Sequence, residues 1–150
     1  MSTQQLERVA QWEQDKEDRC AQDFHQAQQY LQQQRQRLEN LELYRREYLG
    51  NIQQQGQAGF GARSYTQYLT FVGQLDSACQ QQNQVISQAI LVAEQRKKAW
   101  LAQQRKRKAV EHLIQKKRTA ALAKAERHEQ ALLDEFALQS FLRKRHAEQR

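Results

Sequence analysis

Apolar residues recur along this chain in alternating steps of three and four. From Cys20 they run through Phe24, Ala27, Leu31, Leu38, Leu41, Tyr48 and Ile52, with Gln34 and Arg45 as polar interruptions of the same set. Steps of that kind hold one face of a helix against a partner helix, the heptad pattern of a coiled coil. A second set obeys the same rule: Tyr68, Val72, Leu75, Cys79, Gln82, Ile86, Ala89, Ala93, Arg96 and Trp100. Beyond Trp100 the pattern weakens, because Arg107 and Lys117 fall among Val110, Ile114 and Ala121. Before Cys20 it is poor. Leu6, Val9 and Trp12 form a short stripe, the polar run Glu13–Arg19 follows, and this end is expected to fray or to need a partner.

Between the two sets lies GNIQQQGQAGFGAR, residues 50–63, which holds Gly50, Gly56, Gly59 and Gly61 in a chain without proline. Each glycine disfavours helix by about 1 kcal/mol relative to alanine, so the first helix is expected to stop here. Ser64-x-x-Gln67 supplies a capping box to restart a helix, and Ser2-x-x-Gln5 can cap the first. The expected fold class is all-α: an elongated antiparallel two-helix coiled-coil hairpin with a C-terminal helical overhang. The chain is expected to form a single coiled-coil unit over residues 1–150. Helix one covers about 3–49, the loop about 50–63 and helix two about 64–142, with a basic tail at 143–150. Folded about residue 57, helix one reaches only to residue 111 or so of helix two, by the 1.5 Å rise common to both. Residues 112–150 then have no intramolecular partner, yet they carry Leu113, Leu122, Leu132, Leu133, Phe136 and Phe141. Such residues imply a partner chain, with self-association as the plainest case.

Composition supports a seam rather than a thick core. Hydrophobic residues make up 39%, below the roughly 45–50% of globular domains, and about a fifth of the chain is glutamine. The regular apolar spacing argues against disorder. Cys20 and Cys79 are offset by 15 residues across the expected hairpin, roughly 22 Å along a helix, so they are read as free seam thiols in a reducing compartment. The longest apolar run is Ile90–Ala93, whereas a membrane span needs about 20 residues. No signal-peptide core stands at the N-terminus. The expected location is cytoplasmic.

Charge is segregated within the net +7. Between Arg96 and Arg127 twelve Lys and Arg residues face only Glu111 and Glu126. That excess suits an acidic surface, whether nucleic acid, anionic lipid or an acidic pore, and it equally suits a solvated helix. Catalytic and metal chemistry is not expected. His25, His112, His128 and His146 are too far apart to share a metal. Gly56-Gln-Ala-Gly59-Phe-Gly61 lacks the strand and the Lys-Ser/Thr of a phosphate loop. A two-helix rod offers no pocket in which a catalytic triad converges. The reading is a non-enzyme with no catalytic residue, no metal and no cofactor.

Near the loop, Leu41, Tyr44 and Tyr48 share a face of helix one, and Phe71, Leu75 and Ala78 share a face of helix two at the same level. Tyr48 and Leu75 belong to the seam. Tyr44 and Phe71 lie off it, and spacing alone leaves two readings open: protein-binding anchors, or a thickened core beside the turn.

The run Leu38-x-x-Leu41-x-x-Tyr44-x-x-x-Tyr48-x-x-Asn51, a Gly-containing loop, and Tyr68-x-x-Phe71-x-x-x-Leu75 together resemble the FliJ family of the bacterial flagellar type III export apparatus. Trp100 within a basic helix, and Asp134-Glu135-Phe136 followed by Arg143-Lys144, fit as well. The resemblance implies a hairpin similar to the central stalk of rotary ATP synthases. Its termini would sit in the hexameric export ATPase, FliI, promoting assembly and turnover. On this reading Leu6, Val9, Trp12, Leu113, Leu132, Leu133 and Phe136 form the ATPase-docking set. The hairpin would contact the cytoplasmic domain of the export-gate protein FlhA through Arg37, Leu41, Tyr44, Tyr48, Phe71, Leu75, Ala78 and Gln82. Export chaperones are further implied partners. The membrane is implied only peripherally, through the apparatus at the cytoplasmic side of the inner membrane. Nucleic acid is not an implied partner. The rival readings are the stalk of a virulence-type secretion system, a basic coiled coil that binds nucleic acid or anionic membrane, and a coiled coil that only self-associates.

Overall fold

The computed structural model describes residues 2–57, 59 and 61–149, with the side chain of Gln57 left out. Met1, Ala58, Phe60 and Arg150, which fall within the expected unit, loop and tail, lie outside the described residues. The described residues form two helices and no strand: α1, Thr3–Gln57, and α2, Ala62–Glu148. They pack against each other as a helical hairpin, the fold class expected.

The ends of the helices differ from expectation. α1 begins as the sequence indicates: Ser2 N–H donates to Gln5 Oε1 at 2.9 Å, and Gln5 N–H donates to Ser2 Oγ at 3.2 Å. This is the reciprocal capping box. It does not stop at Leu49 but runs through Gly50 and Gly56 to Gln57. The seam explains the continuation, since Leu49 and Ile52 are half-buried and packing overrides a penalty of about 1 kcal/mol per glycine. The expected 50–63 loop therefore shrinks to the residues between Gln57 and Ala62. Gly59 turns the chain with φ of 93°, a conformation that favours glycine, and its N–H bonds the Gly56 carbonyl at 3.3 Å. The Gly61 carbonyl accepts from Tyr65 N–H at 3.2 Å. Gly61 thus opens α2, and Ser64 lies inside the helix rather than capping it. At the far end α2 continues past Leu142, so the expected tail is helical to Glu148, with Arg145 and His146 in the last turn. Basic side chains there suit the negative end of the helix dipole.

By its contacts the chain divides into two compact units, Lys16–Gln103 and Met1–Asp15 with Gln104–Arg150. In Lys16–Gln103 the two heptad sets face each other. Phe24, Leu75, Ile86, Ala89 and Ala93 are buried, and Ala27, Leu31, Leu38, Leu41, Tyr48 and Trp100 are half-buried. Arg96 departs from its seam position and is exposed, reaching to within 4.0 Å of Asp23. Both cysteines are free and half-buried. Phe24 stacks on Trp100 with ring centroids 5.6 Å apart.

The polar interruptions are matched across the seam. Gln82, only 7% exposed, donates from Nε2 to the main-chain carbonyl of Gln34 and to Gln34 Oε1, both at 2.8 Å. Arg45 Nε lies 2.8 Å from Asp76 Oδ1, yet its buried N–H finds no aligned acceptor. The contact is an ion pair rather than a directed hydrogen bond, and at this exposure it contributes about 0–1 kcal/mol. Glu17 is also buried. It continues the 3,4 steps upstream of Cys20, where the sequence had suggested a break.

In the other unit the first turns of α1 lie on α2. Leu6, Glu13 and Ile114 are buried, and Val9, Ala10, Arg107 and Val110 are half-buried. Glu7 Oε1 meets Arg118 Nη2 at 2.7 Å. The N-terminal turns, expected to fray or to need a partner, are helical and have α2 as that partner, and cover extends past the expected residue 111 or so to Ile114 and Arg118. Beyond Ala123 every described residue of α2 except Ser140 is exposed.

Replacing Gln82 with alanine strips Gln34 of its buried partner. It should lower stability by about 1–2 kcal/mol, read as a drop in the urea midpoint of the helical circular dichroism signal.

Candidate functional site

The residues of chemical interest in Lys16–Gln103 are aromatic and cluster toward the Gly59 turn. The 3,4 spacing brings Tyr44 and Tyr48 to one edge of α1. On α2 the spacing Tyr65-x-x-Tyr68-x-x-Phe71 faces them. Tyr48 is the hub: its ring centroid lies 4.4 Å from Phe71, edge-on, and 5.7 Å from Tyr68, stacked. Tyr44 meets Phe71 edge-on at 6.1 Å, and Tyr65 extends the row to Tyr68 at 6.3 Å. Edge-to-face geometry is the favourable one for aromatic quadrupoles, so the row is a stiff, oriented patch. Tyr44 is 50% and Tyr65 54% exposed.

The eight positions singled out on this unit divide by burial. Arg37 and Tyr44 are exposed. Leu41, Tyr48, Phe71 and Ala78 are half-buried and present an edge to solvent. Leu75 and Gln82 are each 7% exposed. Both are seam residues with almost no area to offer, Gln82 being committed to Gln34, and neither can act as a direct contact. Of the pair, Phe71 is half-buried against Tyr48 and thickens the seam, and Tyr44 stands out from it. Sequence reasoning passed over Tyr65. The three-residue spacing from Tyr65 to Tyr68 to Phe71 is the signal that could have found it.

The set on the other unit is also split. Leu6 is buried and Val9 half-buried against α2, which removes Leu6 from any surface. Trp12, Leu113, Leu132, Leu133 and Phe136 are exposed, Phe136 at 69%. Leu122, Leu138, Phe141 and Leu142 are exposed in the same stretch of α2. Seldom does a folded chain leave so many large apolar side chains in water unless another molecule covers them.

The flagellar FliJ protein family matches residues 1–146. The chain belongs to the FliJ family. Membership makes it a component of flagellar protein export. No curated protein and no solved structure matches the chain. Helices are what the family and the seam have in common here. Among the described residues no helix is long and apolar enough to cross a membrane, and no cluster of three or more His, Cys, Asp or Glu residues is placed to hold a metal ion.

Along the basic stretch of α2, Arg96, Arg107 and Arg118 engage Asp23, Glu111 and Glu7. Lys97, Lys98, Arg105, Lys106, Lys108 and Lys116 are exposed. Three neutralised arginines leave the segment strongly cationic.

Tyr48 and Tyr44 separate packing from display. Tyr48→Ala removes two ring contacts and should cost about 2 kcal/mol. Tyr44→Ala should cost less than about 1 kcal/mol. Chemical denaturation of the two variants followed by circular dichroism checks the difference.

Proposed function

We propose that this FliJ-family chain is a two-ended coupling element of flagellar export. The unit that holds both termini docks in the central opening of the hexameric export ATPase and promotes hexamer assembly and turnover. The aromatic patch near the Gly59 turn contacts the cytoplasmic domain of the export gate. Export chaperones are further partners, and the protein works at the cytoplasmic face of the inner membrane through the apparatus rather than through lipid.

The observation that carries this reading is the sorting of exposed apolar side chains. One group, Tyr44 with the edges of Phe71 and Ala78, is rigidly held in Lys16–Gln103. The other, between Leu122 and Leu142, lies on α2 beyond its cover by α1. Rigid aromatics at a well-packed site are typical anchors of protein interfaces. An apolar helix face without a partner helix suits insertion into a ring or groove. The cationic stretch supplies attraction toward acidic groups of such an opening and speeds encounter. On this reading the gate surface comprises Arg37, Leu41, Tyr44, Tyr48, Phe71 and Ala78. Leu75 and Gln82 support it from beneath.

ATP turnover and hexamer formation by the export ATPase of the same cell test the first half. Both should rise with the full chain and fail to rise with a chain ending at Ala123, which keeps Ile114 and the Glu7–Arg118 pair. Equal stimulation by the shortened chain would remove the docking role from the C-terminal stretch. For the second half, Tyr44→Ala and Phe71→Ala should each weaken binding to the gate's cytoplasmic domain by about tenfold, about 1.4 kcal/mol. Titration calorimetry measures the loss, and an unchanged helical signal shows that the variants remain folded.

A further inference from the structure

α2 runs on past the start of α1, and the face it leaves uncovered has a pattern of its own. Counting outward from Phe136, 69% exposed, steps of four, three and four reach Leu132, Glu129 and Ala125 in one direction. The same steps reach Ser140, Arg143 and Ala147 in the other. Such steps keep to one stripe of a helix, and every member of this stripe except Ser140 is exposed. The stripe is therefore symmetric in position about Phe136. Its charges are antisymmetric: one acid and one base, each seven residues from the centre. Glu129 and Arg143 are roughly 21 Å apart along α2, so they cannot meet within one chain.

We propose that this stripe pairs with the same stripe of a second copy of this chain, antiparallel and centred on Phe136. Turned end for end about that residue, the second copy brings each stripe position level with another. Phe136 meets its own copy, Leu132 meets Ser140, Glu129 meets Arg143 and Ala125 meets Ala147. Large side chains lie opposite small ones away from the centre. The two-fold axis makes the Glu129–Arg143 pair occur twice, as an isologous contact requires. On one flank Glu126 and Lys144 come within two residues of level, and they also pair twice. On the other flank Glu135 approaches its own copy, one like-charge contact against four of opposite sign. A parallel pair would instead lay Glu129 on Glu129 and Arg143 on Arg143 inside the seam, which works against that orientation.

The length of the helix also fits. Glu7 meets Arg118, so Thr3, where α1 begins, is level with about residue 122. The helix of the second copy ends at Glu148, level with Lys124. It covers α2 up to the start of α1 without overlapping it. The paired stretch, residues 124–148, spans more than three heptads, on the order of the length that identifies a coiled-coil seam. The proposal does not rest on docking in the ATPase. Where both hold they compete, because Leu132 and Phe136 serve in each, and the second copy shields the docking face until the ring displaces it.

The test uses the full chain alone. Sedimentation velocity at concentrations up to about 100 μM should show monomer and dimer in exchange. Phe136→Glu should weaken the dimer by at least about tenfold, and so should Glu129→Arg and Arg143→Glu taken singly. The double variant Glu129→Arg/Arg143→Glu should dimerise again, because each new charge faces its opposite across the antiparallel pair. Leu138→Glu, on the far side of α2, should leave the dimer unchanged. Circular dichroism shows that the variants keep the hairpin, and recovery in the double variant separates a lost contact from a lost fold. A chain that stays monomeric, single reversals without effect, a double variant that does not recover, or disruption by Leu138→Glu would each overturn the proposal. ATP turnover by the export ATPase is a separate readout, so failure of one reading leaves the other standing.

Discussion

Two helices share one line of contact, and whatever they bury must lie along it. No large side chain among the described residues is completely buried, so the seam is narrow as well as single. A narrow seam has two consequences. Its stability comes from many half-buried residues, each adding a little. Every side chain one position away from it is partly in water and available to another molecule. Tyr44, Phe71, Val85 and Val92 are all of this second kind. Packing and recognition are adjacent columns of the same heptad.

The seam was legible because coiled-coil periodicity is a local property of sequence. Phe24, Leu75, Ile86, Ala89 and Ala93 lie buried where the steps of three and four put them. Less legible was the meaning of the polar interruptions. Gln34 reads as a flaw until its partner is known, and that partner is 48 residues away on the other helix. Spacing fixes the face a residue occupies but only approximately the level at which it meets its neighbour. Glu13 and Glu17 concealed the upstream end of the seam for the same reason: they keep the step and lose the hydrophobicity. The helix ends were misjudged through glycine counting, a local argument that yields when Leu49 and Ile52 still have a helix to pack on.

The candidate surfaces were legible to a different degree. Sequence could place Tyr44 and Phe71 at one level but could not say that Leu75 and Gln82, one step toward the seam, are shut away from solvent. It could show apolar residues in the last third of the chain but not that cover by α1 extends as far as the Glu7–Arg118 pair. Family membership adds flagellar export as the setting. Within that setting the described residues expose large apolar side chains of two kinds. One is the aromatic edge formed by Tyr44 and Phe71. The other is a single apolar helix beside a cationic stretch.

The Gln82–Gln34 bridge also governs how the two helices can move. If α2 slid along α1 by one heptad, Gln82 would come level with Ala27 or Leu41, and Gln34 with Leu75 or Ala89. Both amides would then be buried against hydrocarbon, at a cost of about 1–3 kcal/mol for each group left unsatisfied. Apolar seams tolerate such slippage because one leucine resembles the next, whereas a matched amide pair has only one address. Within Lys16–Gln103 the bridge therefore acts as a ratchet stop. A push or twist delivered to one helix is passed to its neighbour at a fixed alignment instead of being dissipated as sliding.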